Sequence, residues 1–60
     1  MPVITVEGSK LSKEQKSNLV KELTASAARI MNVPEQAFVV LVKENDRENI
    51  GVGGQLLADK

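Results

Sequence analysis

Val3, Ile4, Thr5 and Val6, apolar but for the threonine hydroxyl and all branched at Cβ, stop at Glu7-Gly8. β-Branched residues closed by a glycine turn predict a short first strand. Four residues later Ser12 stands three positions before Gln15. That spacing lets hydroxyl and amide each satisfy an orphan N–H at a helix start, so a helix is predicted from near Lys13. At about 100° per residue, Leu19, Val20, Leu23, Ala27, Ile30 and Met31 fall within a stripe roughly 120° wide, which reads as a core face. Glu14, Lys21, Glu22 and Arg29 lie outside it. Asn32 tolerates the left-handed geometry of a helix end, and Pro34 forbids continuation and pushes Val33 toward an extended shape. The helix is predicted to stop near Asn32.

After a Pro34-Glu35-Gln36 turn, Phe38-Val39-Val40-Leu41-Val42 is apolar at every position, the mark of a strand buried on both faces. Strand, helix of roughly twenty residues and strand make a βαβ unit with parallel strands and a right-handed crossover. Asn45-Asp46-Arg47-Glu48-Asn49 reads as a polar loop. Ile50-Gly51-Val52-Gly53-Gly54 then suits a tight turn or hairpin. The expected fold is α/β (α+β): a single βαβ unit of two parallel strands and one long helix with a short C-terminal hairpin, forming one domain over residues 1–60. One helix covers one face of the sheet. The other face needs a partner, so copies of the chain are expected to pack together as an oligomer.

Composition points the same way. A chain of 60 residues buries only about 60% of the surface it exposes when unfolded. It has no cysteine and no histidine, so neither a disulfide nor a strong zinc or haem ligand set can reinforce it, and oligomerisation is the remaining common remedy. Eight basic and eight acidic residues balance to zero, and Phe38 is the sole aromatic. Nothing there steers the chain to nucleic acid or offers bases a stacking platform, and no nucleic-acid partner is expected. The longest apolar run, Ala37 to Val42, is far short of a membrane span, and the first residues lack the pattern of a secretory signal. A cytoplasmic protein without a membrane partner is expected.

Few residues can carry chemistry. The glycine segment has neither the Walker lysine nor the dinucleotide pattern. Without histidine or cysteine the usual pairs of nucleophile and base cannot form. Glu7, Glu44, Asp46 and Glu48 sit among charged and turn residues typical of solvated surface. What remains is Pro2, directly behind Met1. Trimming of the methionine would leave the proline nitrogen as a free secondary amine. An ordinary α-amino group titrates near roughly 7.7 to 8.0, and apolar burial or nearby cations lower that value. A neutral amine near pH 7 can move protons on a substrate. The simpler account is that Pro2 begins an edge strand, where a missing N–H costs nothing.

Taken together, Pro2-Val3-Ile4-Thr5-Val6-Glu7-Gly8, Ser12-Lys13-Glu14-Gln15-Lys16 and Ile50-Gly51-Val52-Gly53-Gly54 resemble a short-subunit member of the 4-oxalocrotonate tautomerase family, over essentially the whole chain. Only the amino-terminal proline is specific to the chemistry; the other segments mark the scaffold. The resemblance implies a cytoplasmic isomerase of aromatic compound catabolism that needs no metal or organic cofactor. It further implies a homohexamer built as a trimer of dimers, and a Pro2 nitrogen that shuttles a proton in a conjugated 2-hydroxy acid, enol to ketone. The chain also departs from the family pattern. An arginine expected shortly after the first strand is replaced by Ser9 or Leu11, depending on alignment, with Lys10 between them. A second arginine corresponds to Val39, and an aromatic residue before the glycine segment to Ile50. Lys10, Val39, Arg47 and Ile50 are therefore the expected substrate-binding residues, with Lys10 or Arg47 standing in for the missing cations. Lysine lacks the planar fork that grips a carboxylate, so a smaller or less charged enol fits better than a dicarboxylate. The alternatives are a related protein using Pro2 as a nucleophile or to hydrate an unsaturated acid, and a non-enzymatic oligomeric scaffold.

Overall fold

The computed structural model describes residues 1–60. Strand β1 spans Val3–Gly8, helix α1 Lys13–Met31 and strand β2 Val39–Glu44; two short strands follow, β3 at Gly51–Val52 and β4 at Gln55–Leu56. Single 3-10 turns occupy Glu35–Ala37, Arg47–Asn49 and Leu57–Asp59. β1 and β2 pair in parallel with Val3 beside Val39, Thr5 beside Leu41 and Gly8 beside Glu44. The ladder runs past both ends: Val39 N–H donates to the Pro2 carbonyl at 3.0 Å, and Asn45 N–H to the Gly8 carbonyl at 2.8 Å. β3 and β4 form a separate antiparallel pair.

Local chemistry accounts for the helix ends. Ser12 Oγ accepts from Gln15 N–H at 3.1 Å while Gln15 Oε1 accepts from Ser12 N–H at 3.0 Å, so the capping box is complete. Asn32 adopts the left-handed conformation at φ 58° and ψ 46°, and Val33 N–H donates back to the Ala28 carbonyl at 3.2 Å. In the hairpin, Gly53 and Gly54 have φ of 62° and 83°. Two positive φ values in a two-residue loop suit the right-handed twist of its strands, and glycine meets that geometry without steric cost.

Several boundaries move. β1 continues through Glu7 and Gly8, because the ladder to Lys43 and Glu44 extends beyond the apolar run. β2 starts at Val39 rather than Phe38 and ends at Glu44. The polar segment 45–49 contains a 3-10 turn rather than loop alone. More important is burial. β2 is not covered on both faces: no residue of the single chain is fully buried, and Leu41 is 53% exposed. Ile4, Val6, Val40 and Val42 form a half-buried face, whereas Val3, Thr5 and Leu41 on the opposite face are exposed. On α1, Leu19, Val20, Leu23 and Ala27 are half-buried as expected, but Ile30 is 76% and Met31 53% exposed. A helix of 19 residues is about 28 Å long at 1.5 Å per residue, and the six-residue strands reach only about 20 Å. The last turn therefore overhangs the sheet.

The shape is open as a result. The radius of gyration is 14.7 Å, against about 10.4 Å for a compact domain of this length. The accessible surface is 4786 Å², where a folded monomer of this mass exposes about 3,800 Å².

Candidate active site

Pro2 is half-buried at the head of β1, where its carbonyl is tied to Val39 N–H. Parallel pairing thus brings Pro2 and Val39 together although 37 positions separate them. Met1 is 88% exposed and lies outside β1, so its removal would disturb no packing.

The other candidates lie elsewhere. Lys10 follows β1, at the end of the sheet opposite Pro2, about 20 Å away along the strand. It is exposed and forms no ion pair. Because β2 runs parallel to β1, Arg47 and Ile50 also belong to the chain leaving that far end. Arg47 Nη2 donates to the Leu57 carbonyl at 2.8 Å, and the Ile50 carbonyl accepts from Leu57 N–H at 2.9 Å. Both bonds close the C-terminal arm upon itself. Ile50 is half-buried, while Val52 and Leu56 near the hairpin turn are exposed. Within one chain, then, Pro2 meets Val39 but not Lys10 or Arg47, and no pocket is enclosed.

Glu44 was not singled out by sequence reasoning, which grouped it with solvated carboxylates. Its Oε2 accepts from Leu11 N–H at 2.8 Å, and its Oε1 pairs with Lys16 Nζ at 3.4 Å. The Leu11 hydrogen bond is the main cause that holds the carboxyl below its ordinary value of 4.5; desolvation, next in size, opposes it, and the Lys16 hydrogen bond and the charges of Lys16 and Lys10 add to the lowering. The signal that would have found it is tertiary: Leu11 and Glu44 are 33 positions apart, and only the strand register places Glu44 at the mouth of the β1–α1 loop. Glu7 makes the weaker contacts of an exposed carboxylate, 3.4 Å from Asn45 Nδ2 and 3.9 Å from Lys43 Nζ. No three acidic, histidine or cysteine side chains cluster as a metal site, and no helix is long and apolar enough to cross a membrane.

The family model described as tautomerase enzyme matches residues 2–60, beginning at Pro2. DmpI from Archaeoglobus fulgidus is 43% identical, with a TM-score of 0.87, over 97% of this chain and 100% of its own. A 4-oxalocrotonate tautomerase homologue of known structure is 33% identical at a TM-score of 0.91, over 100% of this chain and 97% of its own. TomN, a homologue of 4-oxalocrotonate tautomerase in the tomaymycin biosynthetic pathway, is 32% identical at a TM-score of 0.89, over 97% of this chain and 91% of its own. None of the curated proteins compared matches the chain.

Proposed function

Because the chain belongs to the tautomerase enzyme family over residues 2–60, we propose that it is a cofactor-independent isomerase using the nitrogen of Pro2, freed by loss of Met1, as general base on a conjugated 2-hydroxy acid. The observation that carries this reading is the seat of Pro2: half-buried, held to β2 through Val39, and preceded by a methionine that nothing covers. The neutral nitrogen takes the proton of the substrate's 2-hydroxyl. The oxygen's electron pair forms the carbonyl, the double bond shifts along the chain, and a carbon further on recovers the proton from the prolinium. Atoms and charge balance without metal or redox partner. Negative charge builds on the oxygen and the carboxylate during the step, and fixed positive groups lower the barrier most when positioned beforehand.

Those groups come from another copy. A small acid does not bridge the roughly 20 Å between Pro2 and Lys10 along one strand, so the far end of a neighbouring chain supplies Lys10, and its arm supplies Arg47 and Ile50. The open face of Val3, Thr5, Val39 and Leu41 provides the contact surface for pairing, and a hexamer built as a trimer of dimers is the assembly proposed. Ile50 forms an apolar wall that keeps the amine neutral. Val39, beside Pro2, adds a second apolar wall and no charge. With Lys10 as a point charge and Arg47 partly engaged by Leu57, the site suits a monoacid or a small enol better than a dicarboxylate.

The test begins with the intact mass of the protein from its native host, expected to lack Met1. Ketonisation of phenylenolpyruvate and of 2-hydroxymuconate is then followed in the ultraviolet, with Pro2→Ala expected to lower kcat/KM by about 100-fold or more. Equal rates for the two proteins, or full activity with Met1 in place, would overturn the proposal.

A further inference from the structure

We propose that Glu44 is a positioning residue for substrate binding, acting through the β1–α1 loop on Lys10. This rests on the reading of Lys10 as the cation that meets the substrate's carboxylate. The N–H that Glu44 binds at 2.8 Å belongs to the peptide linking Lys10 to Leu11. A peptide unit is planar, so anchoring that N–H fixes the plane on the C-terminal side of Lys10. On its other side, the Gly8 carbonyl is held at 2.8 Å by Asn45 N–H, the neighbour of Glu44 in sequence. Only Ser9 and Lys10 lie between these two anchors. The second carboxylate oxygen pairs with Lys16 on the first turns of α1, so β2, the loop and the helix are joined at one side chain that keeps only 30% of its surface exposed.

Charge completes the case. Lys10 lies close enough to Glu44 to help hold its carboxyl ionised, yet the two form no ion pair. Glu44 spends its oxygens on Leu11 and Lys16. The backbone on both sides of Lys10 is anchored while its exposed ammonium pairs with neither oxygen of Glu44, which leaves it open to a substrate carboxylate. Since the loop only presents the cation, loss of Glu44 weakens binding and leaves the proton transfer at Pro2 intact.

The experiment is steady-state kinetics on phenylenolpyruvate with the assembled protein. In Glu44→Ala, KM is expected to rise about five- to tenfold with kcat little changed, and in a Lys10→Ala background the same substitution is expected to add nothing further. Glu44→Gln, which keeps an acceptor for Leu11 N–H, is expected to recover most of the KM. Circular dichroism and sedimentation of each variant should match the parent. An unchanged KM in Glu44→Ala alongside a raised KM in Lys10→Ala overturns the positioning role and leaves the function standing. An equal rise in both backgrounds, or a fall in kcat instead of a rise in KM, overturns it as well. If Lys10→Ala is silent while Pro2→Ala is inactive, Lys10 is not the cation and the role of Glu44 falls with it. If Pro2→Ala retains full activity, the proposed function itself is lost.

Discussion

Leu41→Ala tests whether the open sheet face is an interface between copies. The substitution deletes three carbons, each worth about 0.8 kcal/mol on full burial, or about 2.4 kcal/mol in all. Leu41 is 53% exposed in the single chain, so about half, ~1.2 kcal/mol, is realised only when a second copy covers the face. In a two-fold pairing both chains lose it, and the sum of about 2.4 kcal/mol raises the dissociation constant by roughly 60-fold. Sedimentation velocity across a dilution series reads the shift, with urea added to bring the midpoint into range. Leu41→Met, which conserves volume, is the control and should move little. A dissociation midpoint in Leu41→Ala indistinguishable from the parent would refute the reasoning, since half of a leucine cannot leave water without affecting association.

Two further outcomes follow from the helix start and its clasp. Ser12→Ala removes the acceptor for Gln15 N–H and should cost about 1 kcal/mol. At fixed protein concentration that lowers the melting temperature by about 4–8 °C, and Ser12→Asp should retain most of it; a thermal melt with no change would show that the capping box contributes nothing. Glu44 has a folded value lowered below 4.5, chiefly by the Leu11 hydrogen bond. Its stabilisation is therefore complete above the ordinary carboxylate value and is lost as pH falls through the depressed folded value. Urea midpoints of the parent and Glu44→Gln should differ at neutral pH and converge in acid, and a gap independent of pH would contradict this.

Local order in this protein was legible because its causes are local. Ser12 and Gln15 meet across one helical turn, Asn32 and Pro34 end α1 by their own backbone preferences, and Gly53-Gly54 meet the turn geometry themselves. None of these needs knowledge of distant chain. Pro2 stood out for a covalent reason, since only the second residue becomes a terminal amine when Met1 leaves. The resemblance of three segments to a family, and the parallel βαβ order, followed from the same short patterns. Periodicity also marked Ile30 and Met31 as core, correctly as apolar and incorrectly as covered within one chain, because a stripe of apolar residues does not say whose surface will meet it.

Only tertiary structure decided the rest. The parallel register set Val39 against Pro2 and Glu44 against the loop after β1, and it sent Lys10 and the arm carrying Arg47 and Ile50 to the other end of the sheet. Composition and spacing cannot encode those distances, because hydrogen bonds between strands join residues more than thirty positions apart and depend on how far one strand slides along the other. The chemistry proposed for this chain rests on the identity of a single residue near its start. Where the charges proposed to assist it stand is a matter of register and packing.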